Sequence, residues 1–538
     1  MRSKKLWVMA AALAAFASVL LVGQVNATSS YGWADGLAGC HTSTPAVAHY
    51  AHQKVLDPQP AGGPVPCGTT TGWPAVENKV EVTNNDTVIY EPALQGGPYL
   101  SGGGHAPGWG KQFGIAFTNN DGGTWNATSV QVIPETYVED GQVDNNIYVD
   151  HDTGRFFWYM YNAGNAQIQG VCGNGGGGVV AFSGDNAKTW AWGFDLDHDC
   201  AENPDILTAK PTSAGEQLSY SNVVYLCGDN TSSGAATLGT LGFSCSKSLN
   251  GGDSWLGTTL DNPLTAKQGF YSGKEKDAVD PYPQCAGQSS SAGADVQPLP
   301  NGTLVVVVTC NSERFLSESK DEGATWNIVN KIPHDGTLRT DAAGNMYLVE
   351  VINGSSHMTP SLPGSAASSA NSKILLSHST NGGATWSPEL NMVAPGVTSV
   401  GTWTFAQGTY AHGMVGNVAV TYYGINPKSP DGKNGYSDGF ITQTRDALDP
   451  NPVFWSGQVN DTGHPLLYNT TTDGNIGITV LDFNGGALSP DGRSAWGSWV
   501  QDCGPNVATS PGCTTRYPHI NPADPDDGFA GRLVWPAQ

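Results

Sequence analysis

An eight-residue pattern recurs five times and dictates how this chain is organised. It reads Thr118-Asn-Asn-Asp-Gly-Gly-Thr124-Trp125, Ser183-Gly-Asp-Asn-Ala-Lys-Thr189-Trp190, Ser248-Leu-Asn-Gly-Gly-Asp-Ser254-Trp255, Ser319-Lys-Asp-Glu-Gly-Ala-Thr325-Trp326 and Ser379-Thr-Asn-Gly-Gly-Ala-Thr385-Trp386. A sixth copy opens as Thr444-Arg445-Asp446-Ala447 and reaches Trp455 only after a Pro-containing insertion. The start positions step by 65, 65, 71, 60 and 65 residues. Such a period means one supersecondary unit used many times.

The chemistry of the octamer says what that unit is. A hydroxyl and an Asp or Asn side chain bond the backbone of a tight turn, and Gly supplies positive φ. The Trp that follows opens a strand and packs between adjacent sheets. Each octamer is therefore predicted to be the hairpin turn between the third and fourth strands of a repeated sheet. Composition agrees: Gly is 70 of 538 residues and charged residues only 13%, which disfavours helical bundles. The 39% of apolar residues and 16 Trp can bury a large core, which excludes disorder.

The octamers resemble the Asp-box, or bacterial neuraminidase repeat, in the form Ser-x-Asp-x-Gly-x-Thr-Trp. Departures are mild: Ala187 stands at a Gly position, and Asn replaces Asp in the first, third and fifth copies. The resemblance to this sialidase-like family implies an all-β fold, a β-propeller of four-stranded blades. Hairpins with Gly- or Asn-bearing turns recur at 80–91, 147–159, 295–308, 340–351, 413–423 and 488–500, with a plain strand at 221–227. Seven inner-strand units make seven blades the preferred count, although only six octamers follow them; six blades is the alternative. The propeller is assigned to 76–538, its last blade closed by Gly531–Trp535, and 28–75 is read as an N-terminal cap.

Residues 1–27 read as a signal peptide: Arg2, Lys4 and Lys5, then the apolar Leu6 to Val22, then Val25-Asn26-Ala27 as a small-residue cleavage site. An uncleaved anchor is the competing reading. All ten cysteines follow this segment, which suggests disulfides between neighbours, Cys227–Cys245 and Cys503–Cys513 foremost. Zinc is disfavoured by the absence of any Cys-x-x-Cys. The net charge of −23 makes nucleic acid and anionic membrane surfaces poor partners. A secreted, monomeric protein free of the membrane after cleavage is expected, with an extracellular glycan or glycoprotein as partner.

The family implies a site on the face opposite the octamers, with three Arg clamping a substrate carboxylate, a Tyr–Glu nucleophile and an Asp acid/base. The family's first Arg is missing, because no Arg lies between Arg2 and Arg155. Arg314, Arg339 and Arg516 map to loops of the expected face and are the candidate anion clamp, with His412 as a further substrate contact. Asp144, Glu313 and Tyr410 are the catalytic candidates. Asp195, Asp197 and Asp199 alternate as oxygen ligands do in calcium loops, so a structural calcium is expected there and no cofactor is required. The expected activity is sialidase-like hydrolysis of acidic glycans; a non-catalytic glycan- or protein-binding propeller and a polysaccharide lyase are the alternatives.

Overall fold

A computed structural model describes Cys40 and residues 44–71, 78–91, 113–130, 146–162, 177–187, 189–195, 201–212, 218–230, 242–255, 296–310, 313–323, 326–334, 336–353, 372–401, 414–467, 484–502 and 526–536. They form seven small antiparallel sheets, the blades of a β-propeller. Blade one runs Lys79–Val82, Val88–Glu91, Phe113–Thr118 and Asn126–Val130 from axis to rim. Blade two is Asn146–Asp150, Arg155–Asn162, Gly177–Ser183 and Ala191–Asp195. Three strands of blade three fall among the described residues, Ala201–Ala209, Val223–Asn230 and Gly242–Ser248. Blades four and five start at Gln297–Pro298 and Thr337–Thr340 and end at Asn327–Lys331 and Leu390–Asn391.

The last two blades draw on the N-terminal segment that was expected to form a cap. Blade six, from Ser399–Gly401 to Phe454–Gln458, is extended by Val47–Tyr50 pairing on its outer edge. Blade seven is Gly486–Leu488, Ser494–Asp502 and Asp526–Val534, and its fourth strand is Val65–Thr70. The ring is thus closed by residues 65–70, outside the 531–535 strand. An outer edge left bare after Val534 would be an unpaired row of backbone groups; the early strand covers it. This arrangement also explains six octamers for seven blades. In blade seven no hairpin joins the third and fourth strands, so no turn is needed there. Cys67 of the closing strand is disulfide-bonded to Cys40. Cys227 is also disulfide-bonded and stands opposite Cys245 in the ladder of blade three; Cys503 and Cys513 lie outside the described residues.

The octamers fold as their chemistry requires. In the fifth, Ser379 Oγ donates to Asn381 Oδ1 (2.9 Å) and accepts from Gly383 N (3.0 Å), while Asn381 Oδ1 accepts from Thr385 N (3.0 Å). The same bonds recur from Thr118, Ser183 and Ser248. Ala187 adopts φ +61° where the other copies place Gly, a left-handed position that costs a side chain about 1 kcal/mol. In the stretched sixth copy, Asp446 accepts from Val453 N instead (3.2 Å). Apolar clusters fill the spaces between blades: Leu316, Leu338, Met346 and Leu348 join blades four and five, and Tyr347, Val349, Val420 and Tyr422 join five and six.

Candidate functional site

Side chains alternate along a strand, so each innermost strand turns every second residue toward the axis. Blade one contributes Lys79 and Glu81, blade two Asn146, Tyr148 and Asp150, and blade five Thr337, Arg339 and Asp341. Glu81 and Arg339 are both buried. Burial pushes the Glu81 carboxyl up to about 8, a rise that the backbone at Val82 and the Arg339 guanidinium only partly offset. Buried Arg339 on blade five is thus within electrostatic reach of buried Glu81 on blade one, and its Nη1 donates to Leu338 O (2.8 Å). On blade two the Tyr148 hydroxyl bonds Thr208 Oγ1 (3.0 Å), and burial, then Asp150, raise it far above the usual phenol range. Asn146 Nδ2 donates to Asp205 Oδ1 (2.6 Å), fixing a carboxylate on blade three.

On the octamer face the shaft opens into a cavity of about 590 Å³, within the range of ligand sites. Tyr148 and Thr208 line its depth, and Leu299, Pro300, Leu488 and Pro490 its wall. Its acids are committed to structure. Asp150 accepts from Tyr220 Oη (2.6 Å) and Asn222 Nδ2 (3.1 Å). Asp341 accepts from Asn345 N (3.0 Å) and Tyr347 Oη (2.6 Å). Asp152 is held below the usual carboxylate range, first by its hydrogen bond from Lys210. His151 is lowered by burial and shares a hydrogen bond with Asn84 Oδ1 (2.7 Å).

The sequence-derived candidates fall in different places. Glu313 is exposed and paired with Lys331 (2.5 Å). Arg314 shares its strand face with Leu316, which packs between blades four and five. Arg339 follows Leu338 of that same interface and so takes the opposite face of its strand, the face from which Asp341 accepts from Gly416 N of blade six (3.3 Å). Near Arg314 on the open face, His334 bridges Ser377 Oγ (3.1 Å) and Glu350 Oε2 (3.4 Å); Ser377 is fully buried. Asp144, Asp197, Asp199, Tyr410, His412 and Arg516 lie outside the described residues. Of Asp195 only the backbone is described, at the end of the strand Ala191–Asp195. Glu81 and Tyr148 escaped sequence reasoning. The available signal was a Glu in the alternating run Lys79-Val80-Glu81-Val82, at a slot that faces the axis.

No family model and no curated protein matches the sequence. In structure the chain is similar to a Hadza microbial sialidase (12% identity, 74% of this chain and 70% of that one, TM-score 0.38). It is also similar to the intramolecular trans-sialidase of Ruminococcus gnavus (12% identity, 85% and 89%, TM-score 0.34) and to a polysaccharide lyase (10% identity, 71% and 77%, TM-score 0.35). Likenesses this loose say nothing of activity, and the seven sheets themselves define the propeller.

Proposed function

We propose that this chain is an exported propeller that acts on an extracellular acidic glycan, with the axial shaft as the floor of its site. The observation that supports this is the buried Glu81 of blade one, within electrostatic reach of the buried Arg339 of blade five. A Glu held up to about 8 carries its proton at neutral pH and is suited to protonate a leaving glycosidic oxygen. A guanidinium fork suits a sugar carboxylate. Asp205, fixed by Asn146, is the second carboxylate that hydrolysis needs. Asp144, Tyr410, His412 and Arg516, which lie outside the described residues, are assigned to the remaining substrate contacts. The Cys40–Cys67 disulfide fits the oxidising compartment that the leader implies.

The missing Arg ahead of the first octamer favours a second reading, in which the same site binds without turnover. One experiment separates them: a glycan array and a hydrolysis screen of neutral, uronic and sialic substrates, with wild type, Glu81→Gln and Arg339→Lys. Acidic glycans should be retained by wild type and lose at least tenfold in affinity with Arg339→Lys. Turnover that disappears in Glu81→Gln while binding persists identifies an enzyme; binding without turnover of any substrate identifies a receptor. Equal retention of neutral and acidic glycans refutes the site.

A further inference from the structure

The strand that extends blade six carries a buried histidine that the glycan reading leaves unused. His49 of Val47–Tyr50 stands opposite Phe454 in the ladder and is 0% exposed. Its Nδ1 donates to Tyr50 O (2.9 Å), so in the neutral ring Nε2 carries no hydrogen and accepts from Ser456 Oγ (2.8 Å). With its hydrogen spent on His49, Ser456 Oγ accepts from Thr442 Oγ1 (2.6 Å), and Thr442 Oγ1 in turn accepts from Tyr422 Oη (3.1 Å). Tyr422 Oη accepts from Ala394 N (2.8 Å), just past the last strand of blade five. Ser456, Thr442 and Tyr422 are all buried. A single direction of donation satisfies every hydroxyl.

Protonation of His49 reverses that direction. Nε2 must then donate, Ser456 must donate to Thr442 and Thr442 to Tyr422, and the Tyr422 hydrogen is left buried without an acceptor. Among the described residues no carboxylate forms an ion pair with His49 to stabilise its charge. Burial pushes the imidazole down to about 4, which the Tyr50 carbonyl only partly offsets. Of the other titratable groups, Tyr347 and His378 face blade six from blade five. Asp438 and Asp446 stand at opposite ends of the third strand of blade six, bonded to Asn460 and Thr444. Tyr50, His52, Lys54 and Glu389 are exposed.

We propose that His49 makes the N-terminal strand an acid-released latch on blade six. Neutral, it holds Val47–Tyr50 in place; protonated, it frees that strand and bares the outer edge Phe454–Gln458, a row of backbone groups open to another strand. The released stretch stays tethered at both ends, by the Cys40–Cys67 disulfide and by Val65–Thr70 in blade seven, so release is reversible. Its other holds do not titrate: Gln59 bonds Ala48 N (2.7 Å) and Ala48 O (3.0 Å), and Gln53 Nε2 donates to Val397 O (2.8 Å). The latch stands whether or not the glycan reading holds.

An imidazole lowered from 6.5 to about 4 in the docked strand stabilises docking above pH 6.5, and that contribution is lost as pH falls toward 4. The open form should gain about twentyfold in population between pH 7 and pH 5. The test is hydrogen exchange of the full chain at those two pH values, with protection corrected for intrinsic exchange. Peptides spanning 47–56 should lose about twentyfold in protection, while peptides spanning 65–70 and 418–425 keep theirs. Gln at position 49 offers Ser456 an acceptor and does not titrate. His49→Gln should therefore show the same protection of 47–56 at both pH values, even if its packing lowers that protection throughout. His378→Gln should keep the wild-type response. Three outcomes overturn the proposal: wild-type protection of 47–56 that does not change with pH, a pH response that survives in His49→Gln, or protection lost from all blades together, as in global acid unfolding.

Discussion

Replacing Glu81 by Gln tests the buried axial carboxyl directly. The native carboxyl is raised from 4.5 to about 8, first by burial. Between those values the folded chain keeps a proton that the unfolded chain has released. Stability must then fall as pH rises, by about 1.4 kcal/mol per unit for this one group. Between pH 5 and pH 8 the loss amounts to about 3–5 kcal/mol. Gln keeps the volume and the hydrogen bonding but does not titrate. Glu81→Gln should therefore match wild type near pH 4.5 and become progressively the more stable protein up to pH 8. Denaturant midpoints of the two proteins at pH 5, 6, 7 and 8 give the difference. A gap that stays flat refutes the raised carboxyl. A gap of opposite sign, with the variant losing ground as pH rises, means that Glu81 is ionised and that attraction to Arg339 outweighs burial.

Other positions give narrower tests. Gly382 and Gly383 both have positive φ, at +69° and +80°, but a Cβ meets nothing at Gly382 and Leu316 Cδ2 at 2.5 Å at Gly383. Gly382→Ala should cost about 1 kcal/mol and Gly383→Ala about 2–4, by denaturant titration; equal costs would mean that the contact plays no part. Lys247 and Glu322 form a buried ion pair (3.0 Å) between blades three and four. Lys247→Met should lose about 3–5 kcal/mol, and adding Glu322→Gln should restore most of it in a double-mutant cycle. Arg155 is stacked on Phe182 and Tyr220, at 4.7 and 4.6 Å, and donates to Gly251 O (2.6 Å). Arg155→Lys should cost about 1–2 kcal/mol in melting without altering glycan retention, since this Arg ties a hairpin to the third octamer.

The repeat made the propeller legible because its information is local. A hydroxyl, an Asp or Asn two residues on and a Gly two further on are enough to specify the turn, as the bonds within 379–385 show. The sixth copy was recognisable despite its insertion because Thr444 and Asp446 keep their bond (2.5 Å). Ring closure was not legible in this way. Val65–Thr70 pairs with Phe529–Val534 from the other end of the chain, and nothing in 65–70 marks it as a rim strand of blade seven.

The axial site was hidden by a different property of the fold. In an ordinary sheet, Lys79-Val80-Glu81-Val82 reads as a strand with a wet polar face and an apolar packed face. At the hub of a propeller the polar face turns toward the other blades, so Lys79 and Glu81 are buried although their pattern reads as exposed. The same inversion places Arg339 across from Glu81, while Leu338 packs toward blade four. An Arg picked out because its loop maps to the open face, as Arg314 was, need not reach the axis, because its register decides which side of the blade it takes. Register at the innermost strand is thus the information a search for the site requires. It becomes available once the octamers have fixed the blades: counting back from each octamer to the first strand of its unit identifies the residues that alternate toward the shaft. Applied to blades one and two, that count selects Glu81 and Tyr148.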